Sequence, residues 1–82
     1  MFYVYVLRSL KDKKYYVGQT NNVTKRLLLH NTGKVKSTMY RRPFELVGFK
    51  EFETRDEARW YEYSVKHHSD KKKRLLKEIM NK

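Results

Sequence analysis

The chain has 82 residues, no cysteine, nine acidic residues against twenty lysines and arginines, and a formal net charge of +11. That length implies one domain over residues 1–82, burying only about 60–65% of the surface its unfolded form exposes. Disulfides and thiolate metal sites are excluded, and seven tyrosines, four phenylalanines and one tryptophan must supply much of the packing.

Residues 2–8 form an apolar and aromatic run, and residues 15–18 repeat its character. The polar stretch Lys11-Asp12-Lys13-Lys14 separates them, which predicts a β-hairpin. Along the first strand Tyr3, Tyr5 and Leu7 share one face, while Phe2, Val4 and Val6 share the other. Both faces are apolar, so the strand is expected to be covered on both sides. No basic region precedes this apolar start and charges follow it at once, unlike a signal peptide. No run approaches the ~20 apolar residues that span a bilayer. The expectation is a soluble, cytoplasmic protein without membrane contact.

Asn21 and Asn22 are N-cap residues by type, and VTKRLLLHN behind them predicts a short helix ending around Asn31-Thr32-Gly33. Val23 and Leu27 fall on one stripe. Arg26 and His30 are four residues apart and share a face, so both can meet one phosphate. Residues 33–43 read as a basic loop ending at Arg41-Arg42-Pro43, and Phe44–Phe52 as a third strand, with Glu45 and Lys50 marking partial exposure. Thr54-Arg55-Asp56-Glu57 matches a capping box. The helix after it carries Ala58, Tyr61 and Val65 on one stripe with Glu62 beside them. Ser69-Asp70 opens a last helix with Leu75, Leu76, Ile79 and Met80 on its apolar side. The order β-β-α-β-α-α predicts an α+β fold.

Charge is distributed unevenly. No acidic residue occurs between Asp12 and Glu45, and Lys71 to Arg74 form a second basic run. Such a field favours a nucleic-acid backbone and makes binding salt-dependent. Lys34, Lys36, Arg41 and Arg42 are the expected phosphate contacts. A well-solvated basic surface would have the same composition.

Tyr5 and Tyr16 stand apart from the other tyrosines, because neighbouring strands could bring their hydroxyls together near the Arg26 helix. Tyr3 and Tyr15 read as packing residues. A phenol titrates near pH 10 and is a poor base unless cations depress that value. Glu62 has two readings: a surface carboxylate paired with Lys66 at i+4, or a single hard ligand for Mg²⁺, which accepts one or two carboxylates and keeps several waters. With three histidines and no cysteine, a zinc site is not expected. His67 and His68 read as ordinary helix residues.

Taken together, these residues resemble the GIY-YIG nuclease superfamily. Tyr3-Val4-Tyr5 corresponds to the first family triplet, with its glycine and isoleucine replaced, and Tyr16-Val17-Gly18 to the second. The family's helix arginine falls on Arg26, its later histidine or tyrosine on His30, and its metal-binding glutamate on Glu62. The segment His30-Asn31-Thr32-Gly33 and a basic C-terminal helix are most like the small stand-alone bacterial members. The resemblance implies a three-stranded antiparallel sheet flanked by helices and one-metal hydrolysis of a phosphodiester; the first hypothesis is a metal-dependent endonuclease acting on DNA, with branched or damaged structures as candidate targets. In that scheme Glu62 holds Mg²⁺ or Mn²⁺, and one of Tyr5 and Tyr16 takes a proton from the attacking water while the other positions it. Arg26 stabilises the developing charge, and His30 orients the base or assists proton transfer. Gln19 stands where some repair nucleases carry lysine, and an asparagine common after the glutamate helix has no counterpart. The alternative is a nucleic-acid-binding module that keeps the fold with little or no cutting. A protein partner and the oligomeric state are left open by the sequence.

Overall fold

A computed structural model describes residues 1–80 of the chain; residues 81–82, the end of the expected single domain, lie outside the described residues. Strand β1 (Phe2–Ser9) pairs antiparallel with β2 (Tyr15–Thr20) on one side and with β3 (Phe44–Phe52) on the other. The sheet order is therefore β2-β1-β3, with β1 in the centre. Helices α1 (Val23–Asn31), α2 (Arg55–His67) and α3 (Ser69–Met80) complete the expected order, and β2 runs two residues further than its apolar stretch. A single 3₁₀ turn, Met39–Arg41, lies inside the segment read as a basic loop.

The alternation of β1 splits the interior into two parts. Val4 and Val6 pack with Val17 against Ala58 and Val65 of α2 and Leu75 of α3, and all six are buried. On the opposite face Tyr5 and Leu7 pack with Phe44, and Tyr16, Val23 and Leu27 close around them. The first cluster is a conventional apolar core between sheet and helices. The second mixes apolar side chains with tyrosines and borders the buried His30. The β1–β3 pairing shifts register between Val6 and Leu7, where Val47 is the extra residue of a bulge.

The helix signals in the sequence act as expected. Asn22 caps α1 by accepting from the Lys25 amide at 3.0 Å. The far end closes in a Schellman arrangement: Gly33 takes φ 78°, its amide reaches the His30 carbonyl at 3.3 Å, and the Lys34 amide reaches the Leu29 carbonyl at 3.0 Å. Thr54 caps α2 by accepting from the Glu57 amide at 3.2 Å, and its hydroxyl donates to the Glu57 carboxylate at 2.9 Å. Among the described residues no helix is long and apolar enough to cross a membrane.

Candidate active site

The site grows out of the β1–β2 register. Tyr5 stands opposite Gly18 and Leu7 opposite Tyr16, so Tyr5 and Tyr16 are diagonal neighbours on one face. Their ring centroids are 6.5 Å apart. The absence of a side chain at position 18 is what admits the Tyr5 ring, because a methyl there would overlap the Tyr5 hydroxyl and the ring carbon that bears it. The glycine of the second triplet is thus a packing partner of the tyrosine of the first.

Helix α1 crosses this face and presents Arg26 and His30 one turn apart. The Tyr5 hydroxyl lies 3.0 Å from His30 Nε2 and accepts from Arg26 Nε at 3.4 Å. On its other side His30 Nδ1 lies 2.7 Å from Thr38 Oγ1. The Thr38 hydroxyl donates onward to the Val35 carbonyl at 3.4 Å. One assignment leaves every donor with an acceptor. Arg26 donates to Tyr5, Tyr5 to His30 Nε2, His30 Nδ1–H to Thr38, and Thr38 to the backbone. Tyr5, His30 and Thr38 are all buried, at 1%, 0% and 0% exposure, so this polar chain sits in the interior. Buried polar groups of this kind stay in place because each is satisfied. The Tyr16 ring packs against His30 with centroids 5.0 Å apart, and Phe44 closes the other side of the imidazole at 5.7 Å.

Burial sets the protonation states. It pushes the Tyr5 phenol up to about 12; the Arg26 hydrogen bond opposes this, while the Tyr16 phenol and the Glu62 carboxylate add to it. Burial also lowers His30 to about 4, helped by the Arg26 charge. At neutral pH the pair is a neutral phenol and a neutral imidazole.

Glu62 comes from α2. Its carboxylate makes the i+4 ion pair with Lys66 at 2.8 Å, while Lys66 Nζ also lies 5.4 Å from the centre of the Tyr16 ring. The observed geometry is the first of the two expectations for Glu62, the pairing with Lys66, and Lys66 sets that pair beside Tyr16. The Glu62 side chain is one-fifth exposed, open enough to take a ligand. Among the described residues no three His, Cys, Asp or Glu side chains gather in one place. A single carboxylate, one-fifth exposed and shared with Lys66, fits a hard divalent ion held mainly through water and phosphate, and does not fit a closed zinc site.

The four expected phosphate contacts divide into two pairs. Lys34 and Lys36 are exposed on the loop after α1. Arg41 instead pairs with Asp12 at 2.7 Å and lies over the Phe44 ring. That pair, together with the Lys14 amide, holds Asp12 down at about 2. Arg42 is exposed but donates to the Met39 carbonyl at 3.0 Å.

Three supporting residues had no clear signal in the sequence. Thr38 lies in the segment read only as basic, yet it orients His30. Asn31 clamps Phe44 through its side-chain amide, donating to the Phe44 carbonyl at 3.0 Å and accepting from its amide at 2.7 Å. This ties the end of α1 to the start of β3. The Ser9 hydroxyl donates to the Arg41 carbonyl and accepts from the Lys11 and Asp12 amides, joining the hairpin turn to the basic loop.

A tyrosine pair, a helix arginine and a buried histidine, arranged in this order on this sheet, match the GIY-YIG catalytic domain, whose family model covers residues 1–75. The chain belongs to the GIY-YIG family. This is a nuclease superfamily whose members generally depend on a divalent metal. Among its relatives is the UPF0213 protein BH0048 of Halalkalibacterium halodurans, 44% identical over 75 residues, spanning 90% of this chain and 79% of the relative. A UPF0213 protein of Bacillus pumilus is 46% identical over 79 residues, 95% of this chain and 80% of that one. The UPF0213 protein YazA of Bacillus subtilis is 43% identical over 74 residues, 89% and 74% respectively. The solution NMR structure of BH0048 matches this fold with a TM-score of 0.54 at 44% identity, covering 93% of this chain and 82% of that one. This GIY-YIG chain is thus similar to small stand-alone bacterial members of the family.

Proposed function

We propose that this chain is a metal-dependent endonuclease that hydrolyses DNA phosphodiesters in the cytoplasm, with branched or damaged DNA as its substrates. The observation that carries the reading is the Tyr5 hydroxyl held between Arg26 and His30, with Tyr16 and Glu62 beside it.

The two tyrosines take different roles. Tyr5 is sealed, its proton is directed at His30, and its titration is pushed up to about 12, all of which make it a poor base. It serves as the post that fixes Arg26 and His30. Tyr16 is half-buried, carries the Lys66 ammonium over its ring, and is the phenol that water can reach. As its phenolate, beside the Lys66 ammonium, Tyr16 accepts the proton of the attacking water. Arg26, fixed through its Nε, directs its remaining guanidinium donors at the charge that develops on the phosphorus oxygens. His30 stays neutral and positions Tyr5 rather than delivering a proton of its own. Glu62 would hold Mg²⁺ or Mn²⁺, which when bound neutralises charge on the scissile phosphate. Lys66 would then leave Glu62 and remain over Tyr16. Lys34 and Lys36 hold the DNA backbone without reading sequence.

The Glu62–Lys66 pair at 2.8 Å favours one other reading, in which Glu62 stays tied and the domain binds nucleic acid without cutting. Cleavage of plasmid and branched DNA with Mg²⁺ or Mn²⁺ separates the two. The nuclease reading expects metal-dependent nicking by the native chain, reduced by about a hundredfold or more in Arg26→Ala and Tyr16→Phe. Binding with no nicking under either metal would leave the binding module as the function.

A further inference from the structure

Helix α2 carries a second group of side chains that the proposed chemistry does not use. Trp60 and Tyr63 are 70% and 56% exposed, and their rings stack with centroids 6.0 Å apart and planes 15° from parallel. His67 continues the row one turn further, 4.1 Å from Tyr63. Three consecutive rings thus form a ladder on the outer face of α2, where a surface helix ordinarily presents polar residues. None of the three contributes to either buried cluster.

The ladder borders a groove of about 430 Å³ between α2 and α3, lined by Trp60, Ser64, Lys71 and Arg74 among others. Its lining includes one carboxylate, Glu78, which Lys50 holds at 3.6 Å. Lys71 and Arg74, and Arg59 beside Trp60, enter no ion pair or side-chain hydrogen bond among the described residues. Exposed flat rings bordered by free cations complement a strand with stacked bases and a phosphate backbone. They do not complement a duplex, whose base faces are already covered. Position on the helix links this surface to the nuclease site. Glu62 and Tyr63 are adjacent residues, and Lys66 lies one turn from both, between the two faces.

From this geometry we infer that the Trp60–Tyr63–His67 ladder is a stacking platform for unpaired DNA, holding a single-stranded segment that extends from the duplex at the Tyr16–Glu62 site. The inference rests on the nuclease reading for the identity of its ligand, but its own measurement requires no cutting. Trp60 is the chain's only tryptophan, so its emission reports the platform directly.

The test uses the full chain carrying Glu62→Gln, titrated with oligo-dT and with a blunt duplex of equal length at one salt concentration. Oligo-dT is expected to quench Trp60 emission saturably and to bind at least severalfold more tightly than the duplex. Tyr63→Ala should weaken oligo-dT binding about tenfold while leaving duplex binding unchanged, and Tyr63→Phe should restore it. Failure of oligo-dT to quench, or equal loss of single-strand and duplex binding in Tyr63→Ala, overturns the inference even if the native chain cuts DNA. Trp60 emission that changes with protein concentration alone would also overturn it, assigning the ladder to contact between copies of the chain. Quenching by oligo-dT in a chain that cuts nothing would uphold the platform and reject only the nuclease reading.

Discussion

Strand β1 serves two surfaces that differ in kind. Its even-numbered side chains, Val4 and Val6, enter a dry core with Val17, Ala58, Val65 and Leu75. Its odd-numbered Tyr5 enters a hydrogen-bonded chain with Arg26, His30 and Thr38. The first side holds by the sum of many undirected contacts, so removing one side chain costs stability in proportion to the apolar volume lost. The second depends on each partner being present, because a buried donor or acceptor left alone costs about 1–3 kcal/mol. In this domain the apolar cluster on one face of β1 is backed by the polar chain on the other.

The largest loss of stability should come from the dry side. Leu75→Ala empties a position that is 1% exposed and should cost about 2–5 kcal/mol. Total stabilities are about 5–15 kcal/mol, so the urea midpoint should fall sharply or the chain should fail to fold. Gly18→Ala strikes the polar side instead. Its new methyl overlaps the Tyr5 hydroxyl, so an overpacking cost of about 1–3 kcal/mol is expected. Displacement of Tyr5 should lower nicking by more than the lost folded fraction explains, which parallel unfolding and activity curves would reveal.

Acidification sharpens the contrast further. His30 titrates near 6.5 when unfolded and near 4 when folded, so the unfolded chain binds more protons between those values. Stability contributed by neutral His30 is complete above pH 6.5 and is lost as pH falls toward 4, by roughly 3 kcal/mol. Urea melts at pH 7 and pH 4.5 should show this fall, and His30→Gln should flatten it. Asp12 acts in a lower window, losing its contribution only as pH falls from 3.8 toward 2, so the two effects separate. The smallest effect belongs to the surface. Lys34→Ala with Lys36→Ala should leave stability within about 0.5 kcal/mol. It should lower the salt dependence of duplex binding, reducing the slope of log affinity against log salt by about 2.

Much of this arrangement was readable in the sequence because it is local. The two-sided apolar pattern of β1 identified a strand covered on both faces. Asn22, Gly33 and Thr54 marked helix ends through chemistry confined to a few residues. The i, i+4 spacing placed Arg26 and His30 together, and the hairpin put Tyr5 near Tyr16. What was not readable depends on contacts between distant segments. Thr38 became a partner of His30 only when the loop folded back over α1. Arg41 looked like a free phosphate contact until it met Asp12, 29 residues earlier in the chain. Asn31 carried no sign that it would bind the backbone of Phe44. The local i+4 rule correctly paired Glu62 with Lys66, but it could not show that the pair stands beside Tyr16. The exposure of Trp60 and Tyr63 was likewise hidden, because an aromatic residue next to an apolar stripe ordinarily joins the core.

The most direct measurement is the nicking rate of Glu62→Gln against the native chain in saturating Mg²⁺ or Mn²⁺, with urea unfolding of both proteins alongside. Nicking is expected to fall by at least a hundredfold while the urea midpoint holds, because Glu62 serves the polar face and contributes little to the dry core. Equal metal-dependent nicking by the two proteins would contradict this role and remove Glu62 from the site.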